Sequence, residues 1–257
     1  MFPSKVPIVS QPAVATAGYS NAYSTTLDGT DDYFTVSSAP TLSADATISF
    51  WFNLGTQSHT YKGLFVSENY YTVGENNTIA LQWHTDNYFR WIMLNGQTVV
   101  GGVRTWTPSS FAEDTWYHFA LVLDDTANTV KAYQNGAVLS GTHATSGNTF
   151  ADLANGIYMG QYKANGSLDG NSDMVALFDE VAVFDAALSA DDIASIYNSG
   201  VPNDLTDSGS YDTNRTSNLK GYWRFEEGTG TSVTNTANSG TNDGALVNAT
   251  HSTDVPE

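Results

Sequence analysis

The chain contains no cysteine, so it offers neither a disulfide framework nor a thiolate metal site. Positive charge is nearly as scarce, with 9 lysines and arginines against 27 aspartates and glutamates and a formal net charge of −18. Such a surface repels phosphate backbones and anionic lipid, which excludes nucleic acid and the membrane surface as expected partners. No apolar run approaches the ~20 residues that span a bilayer. Charged residues make up only 14% of the 257, while 22 glycines and 12% aromatics accompany abundant Ser, Thr and Asn. That composition belongs to an all-β protein with polar turns rather than to a disordered chain. The length suits one large sandwich or two small domains.

Several kinds of chemistry are also missing. His59, His84, His118, His143 and His251 occur singly, without zinc-site spacing. No Gly-rich phosphate loop follows a parallel strand, and GxSxG is absent.

What is present is clearest between Met174 and Gly200. Val175, Leu177, Val181, Val183 and Phe184 form an apolar run with the composition of a buried strand. A short helix follows, near residues 190–198. Ser189 is its N-cap, and Asp192, three residues on, places negative charge in the first turn. Leu188 and Ile193 have the spacing of a hydrophobic staple. Gly200 supplies a left-handed stop before Pro202. The stripe of Ile193, Ile196 and Tyr197 must lie on a neighbouring sheet.

The rest of the chain reads as strands and turns. Tyr33–Val36 and Thr47–Phe52 are short strands, and Ile79–His84 and Tyr88–Leu94 form a hairpin. Trp116–Asp124 alternates with both faces largely apolar, which makes it a central strand, and Asp125–Asn128 turns it into Thr129–Gln134. Residues 1–22 lack periodicity and hold three of the seven prolines; they read as an extended arm rather than a signal peptide.

Three stretches resemble one family. Leu27-Asp28-Gly29-Thr30-Asp31-Asp32-Tyr33-Phe34, Phe178-Asp179-Glu180-Val181 with its capped helix, and Gly221-Tyr222-Trp223-Arg224-Phe225 with Asn242-Asp243-Gly244 are similar to segments of laminin-G-like, concanavalin A-type jelly-roll domains. The resemblance implies a two-sheet antiparallel sandwich over residues 23–250 and a tail at 251–257. The last of the three usually opens such domains; here residues 221–250 complete the same sandwich in permuted order.

The same jelly roll hosts glycoside hydrolases, which place two acidic residues at alternate strand positions so that both face one cleft. Asp179-Glu180-Val181-Ala182 breaks that alternation, and Glu226 and Glu227 would point to opposite faces. The expectation is a protein without enzymatic activity. Asp28, Asp32 and Asp179 are the candidate calcium ligands, although for Asp28 and Asp179 orienting turns through Asx hydrogen bonds is the favoured role. The segment Asp169-Gly170-Asn171-Ser172-Asp173 resembles part of a cation loop. Carbohydrate binding needs exposed aromatic platforms. The pool is Tyr70, Tyr71, Trp83, Trp91, Trp106 and Tyr162, with Tyr70, Tyr71, Trp83 and Trp106 as candidates.

By resemblance to modules of marine bacteriophage structural proteins, the expected role is a virion component. It would decorate a capsid or form part of a tail or fibre, be made in the host cytoplasm, and attach to capsid or tail proteins through the arm. The sandwich would present itself to glycans, alone or as a homo-oligomer. The alternative is an extracellular bacterial lectin or adhesin, secreted or held on the cell surface.

Overall fold

The computed structural model describes residues 19–42, 44–58, 60–68, 70–73, 78–95, 97–145, 156–164 and 166–257. Residues 1–18 of the expected arm, and His59, lie outside the described residues. The strands in chain order are β1 (Ser24–Asp28), β2 (Tyr33–Val36), β3 (Ala46–Leu54), β4 (Tyr61–Ser67), β5 (Thr78–His84), β6 (Tyr88–Asn95), β7 (Thr98–Trp106), β8 (Trp116–Asp124) and β9 (Thr129–Gln134). They continue with β10 (Ala137–Val138), β11 (Ile157–Met159), β12 (Lys163–Ala164), β13 (Ser167–Leu168) and β14 (Val175–Phe184). After helix α1 (Ala190–Tyr197) come β15 (Leu219–Trp223), β16 (Ser232–Val233), β17 (Gly244–Val247) and β18 (Thr250–Ser252).

One sheet has the order β10-β9-β8-β3-β14-β1-β18, with β15 also on β14, and the other runs β16-β17-β2-β11-β4-β5-β6-β7. Strands β12 and β13 form a separate ribbon. The result is an all-β, two-sheet antiparallel sandwich with one short helix. Its main core lies between the sheets and contains Phe34, Phe50, Phe52, Phe89, Phe119, Phe178 and Trp223. Residues 219–252 add strands to both sheets rather than forming a core of their own. Gly221 permits the close packing there, because a Cβ on it would stand 2.4 Å from the Trp223 indole.

The second core layer explains the helix. Ile193, Ile196 and Leu188 pack with Ala120, Val122, Ala182, Phe184 and Tyr222 on the outer face of the first sheet. Ser189 caps α1 by accepting from the Asp192 N–H at 3.0 Å, and Asp192 Oδ2 accepts from the Ser189 N–H at 3.2 Å, a complete capping box. Asp192 also accepts from Thr213 N and Arg215 Nε. Burial works against its charge, but these bonds together hold its carboxyl below the usual range. The stop differs from expectation. Asn198, at φ 45°, takes the left-handed position two residues before Gly200. Asparagine tolerates that region, and its amide is held there by Val201 O and Asn203 Oδ1.

Strand β14 is the pivot of the first sheet. It pairs along its length with β3, while its other edge is shared end to end by β1 and β15. The register shifts between Asp179 and Ala182, and Glu180 sits at φ 50°. The broken alternation in the sequence is therefore a bulge, placed where β1 gives way to β15.

Candidate functional site

The three aspartates expected to hold calcium do not converge. Asp28 Oδ1 accepts from Thr30 N at 2.9 Å, and Asp32 Oδ2 accepts from Asp28 N at 2.8 Å, so both shape the turn between β1 and β2. Asp28 pairs with Val175, four residues along β14 from Asp179, a separation of ~13 Å at strand rise. Among the described residues no three His, Asp or Glu side chains form a metal-holding group.

The aromatic candidates divide. Trp83 and Trp106 are 1% exposed and belong to the core between the sheets, so neither offers a ring face to a ligand. Trp83 shares strand parity with Ile79 and Leu81, which face inward, and packs on Phe89 and Phe111. Trp106 is fixed by its indole N–H donating to Gly141 O at 2.7 Å. Tyr70 and Tyr71, by contrast, lie at a pocket of ≈ 360 Å³ on the outer face of the second sheet. That volume is within the range of small-ligand sites.

The sheet builds the floor of this pocket. Gln82 on β5 and Arg90 on β6 are cross-strand partners, and Arg90 Nη1 donates to Gln82 Oε1 at 2.9 Å. The guanidinium lies over the Tyr61 ring, 4.5 Å from its centroid. Tyr70 meets Tyr162 edge to face at 5.3 Å, and Tyr71 stands 6.2 Å from Tyr70 with 41% of its surface exposed. Burial pushes the Tyr70 hydroxyl up to about 12, with Arg90 and the Gln82 amide pulling the other way. Burial, then the Asp169 carboxylate, raise Tyr162 as well. Both remain phenols near neutrality, with the Tyr162 hydroxyl set against the Asp169 carboxylate and the Tyr70 hydroxyl against the Gln82 amide.

The β12–β13 ribbon forms the far wall, with Tyr162, Ala164 and Asp169. It is tied down by backbone and hydroxyl bonds: Asp169 N to Tyr162 O at 3.0 Å, Tyr162 N to Ser172 Oγ at 3.1 Å, and Ser172 Oγ to Asp169 O at 2.6 Å. The segment resembling part of a cation loop does hold a cation, but it is the ammonium of Lys62 on β4. Fully buried, Lys62 donates to Asp173 O at 2.5 Å and Asn171 O at 3.3 Å. Burial lowers its pKa. Gln161 in turn bonds the Asp173 carboxylate.

The acidic pair at the bulge is enclosed. Glu180 accepts from Arg224 Nε at 3.0 Å and from the Tyr222 hydroxyl. The space beside it, bounded by Ser49, Trp51 and Asn203, is ≈ 10 Å³, too small for a sugar and near the limit for one water. Glu226 accepts from Ala22 N at 2.9 Å and Tyr23 N at 3.1 Å, and Glu227 from Thr234 N at 2.8 Å. Arg224 also bonds Ser20 O, and its guanidinium lies over the Tyr19 ring at 4.3 Å. Residues 19–23 are thus fastened to the end of β15, so the described part of the expected arm is docked on the sandwich.

Sequence reasoning missed Tyr61, Gln82 and Arg90 as pocket residues. The signal was parity: Gln82 and Arg90 face each other across the hairpin on the side carrying Ala80 and Ile92, while Trp83 and Phe89 fill the opposite side.

Comparison with solved structures gives matches at low identity. A candidate carbohydrate-binding protein from Bacteroides ovatus aligns with TM-score 0.64 at 16% identity, over 91% of this chain and 61% of that one. A heptameric SAP-like pentraxin from Limulus polyphemus aligns with TM-score 0.53 at 13% identity, over 69% of this chain and 82% of that one. This chain thus spans less than two thirds of the Bacteroides protein. No curated protein matches by sequence. The laminin-G-type model described as the concanavalin A-like lectin/glucanases superfamily matches residues 28–194. With that match over more than half its length, the chain belongs to the concanavalin A-like lectin/glucanases superfamily.

Proposed function

We propose that this chain is a lectin-like, non-enzymatic module that binds a glycan in the pocket between Tyr61, Tyr71 and the β12–β13 ribbon. One observation carries the reading: an open pocket of ≈ 360 Å³ that combines an exposed tyrosine ring with phenol, amide, guanidinium and carboxylate groups. Sugars are held in this way, by stacking of C–H faces on aromatic rings and hydrogen bonds to hydroxyls. The family and the description of the Bacteroides ovatus protein support it.

On a glycan array and by calorimetry, Tyr71→Ala should weaken binding by about tenfold, since it removes an interaction of roughly 1 kcal/mol or more. The melting temperature should hardly change, because the side chain is 41% exposed. Binding that is indifferent to Tyr71, or absent across the array, rejects the pocket as the glycan site.

As to where the module acts, the virion placement rests on the resemblance to bacteriophage structural proteins alone. Mass spectrometry of purified particles tests it: a fixed copy number relative to the major capsid protein supports a virion component, and absence from particles leaves the extracellular lectin.

A further inference from the structure

Resting on the reading of this pocket as a sugar site, we propose that the sugar it takes is acidic, with its carboxylate paired to Arg90. Among the described basic residues, four have a carboxylate within salt-bridge distance, while Lys62 is held by backbone carbonyl oxygens. Lys163 pairs with Glu68, Arg215 with Asp192, Lys220 with Asp185 and Arg224 with Glu180. Arg90 has no such partner within salt-bridge distance among the described residues. Its contacts are a neutral amide, Gln82, and the face of Tyr61.

Among the described residues this half-buried guanidinium contacts only neutral groups, so it has lost part of its hydration without gaining a close counter-charge there. Of its five N–H donors, Nη1 is committed to Gln82, an interaction that orients the planar fork. A carboxylate matches that fork with two parallel bonds, which a neutral hydroxyl cannot do. The pocket's own carboxylate, Asp169, does not fill the role. It stands beside Tyr162, and its Oδ1 already accepts from Asn171 N at 3.0 Å and Asn171 Nδ2 at 3.3 Å. Asp169 is instead suited to accept from the hydroxyls at the other end of a sugar ring. Tyr71 supplies the exposed face on which the ring lies.

The test uses the full chain and a panel of glucuronate-, galacturonate- and mannuronate-containing oligosaccharides. Each is paired with its methyl ester, and sulfated and neutral oligosaccharides complete the panel. At least one acid should bind about tenfold or more tighter than its ester, the scale of a charge-assisted pair. Arg90→Gln should bring acid and ester to the same affinity, and Arg90→Lys, which keeps the charge but loses the fork, should retain only part of the preference. If either variant fails to fold, the acid-to-ester ratio of the natural chain decides alone. Equal binding of acids, esters and neutral sugars, weakened by Tyr71→Ala, overturns the carboxylate proposal and leaves the sugar site standing. Preference for sulfate over carboxylate also overturns it. No binding by any member of the panel overturns the sugar site together with the proposal.

Discussion

Asp179→Asn should raise the melting temperature at pH 8 by about 5 °C, the equivalent of about 2 kcal/mol for a domain of this size. Asp179 is fully buried beside Glu180, and its Oδ2 has no hydrogen-bond partner among the described residues. Burial first, then the Glu180 charge, raise its pKa well above the ordinary value, with the Asn21 amide and the Glu180 N–H opposing. Burial likewise pushes Glu180 up to about 7 against the pull of Arg224 and Tyr222. A carboxyl whose pKa is higher folded than unfolded binds more protons in the native state between the two values, so stability falls as pH rises through that window. The natural protein should therefore gain stability as the pH falls through about 7, where Glu180 takes up its proton, and Asp179→Asn should shrink that gain by removing the neighbouring charge. Below pH 6.5 the trend should weaken. Burial pushes His118 down to about 3, so the unfolded chain takes up a proton there that the native state refuses. Thermal melts from pH 5 to 8 check both statements. A variant less stable than the natural chain at every pH would mean that Asp179 is satisfied as an anion.

Removal of residues 219–257 should leave no cooperatively folded protein. The segment contributes β15 to one sheet and β16 and β17 to the other, while β18 covers the edge of β1. Trp223, Phe225, Val233 and Leu246 enter the core, and Phe34 loses two ring contacts, at 5.9 Å to Trp223 and 5.1 Å to Phe225. Trp223→Ala alone should cost about 3–5 kcal/mol, a large part of the ~5–15 kcal/mol that holds a domain together. Near-ultraviolet circular dichroism and urea titration distinguish the outcomes. A truncated chain that keeps its near-ultraviolet signal and midpoint would show the segment to be an appendage. The point substitution keeps the question answerable if the truncated chain is insoluble.

Local chemistry made much of this fold legible. The capping box of Ser189 and Asp192 needs only residues three apart, and the hairpin of β5 and β6 only its own alternation and turn. The two apolar faces of Trp116–Asp124 identified a strand flanked on both sides, and β8 does lie between β3 and β9. Even the helix stop was misplaced by only two positions, because Asn198 and Gly200 both tolerate the left-handed region and the choice was made by Asn203 and Val201.

The site was harder to read, for a physical reason. An aromatic residue in a strand is equally suited to a core and to a sugar platform, and only the covering of each sheet face decides. The opposing sheet claimed Trp83 and Trp106, while the outer face was left open around Tyr71. The sequence alone determined many of the strands, their alternation, the capped helix and an excess of negative charge that leaves few cations to place, but β4 and β7 were not legible in it. Tertiary structure decided which elements meet: it separated Asp28 from Asp179, filled the apparent cation loop with Lys62, and brought Tyr61, Gln82, Arg90, Tyr162 and Asp169 to one pocket. Those residues come from three sheet strands and a distant ribbon, and no local preference of the chain encodes their distance from one another.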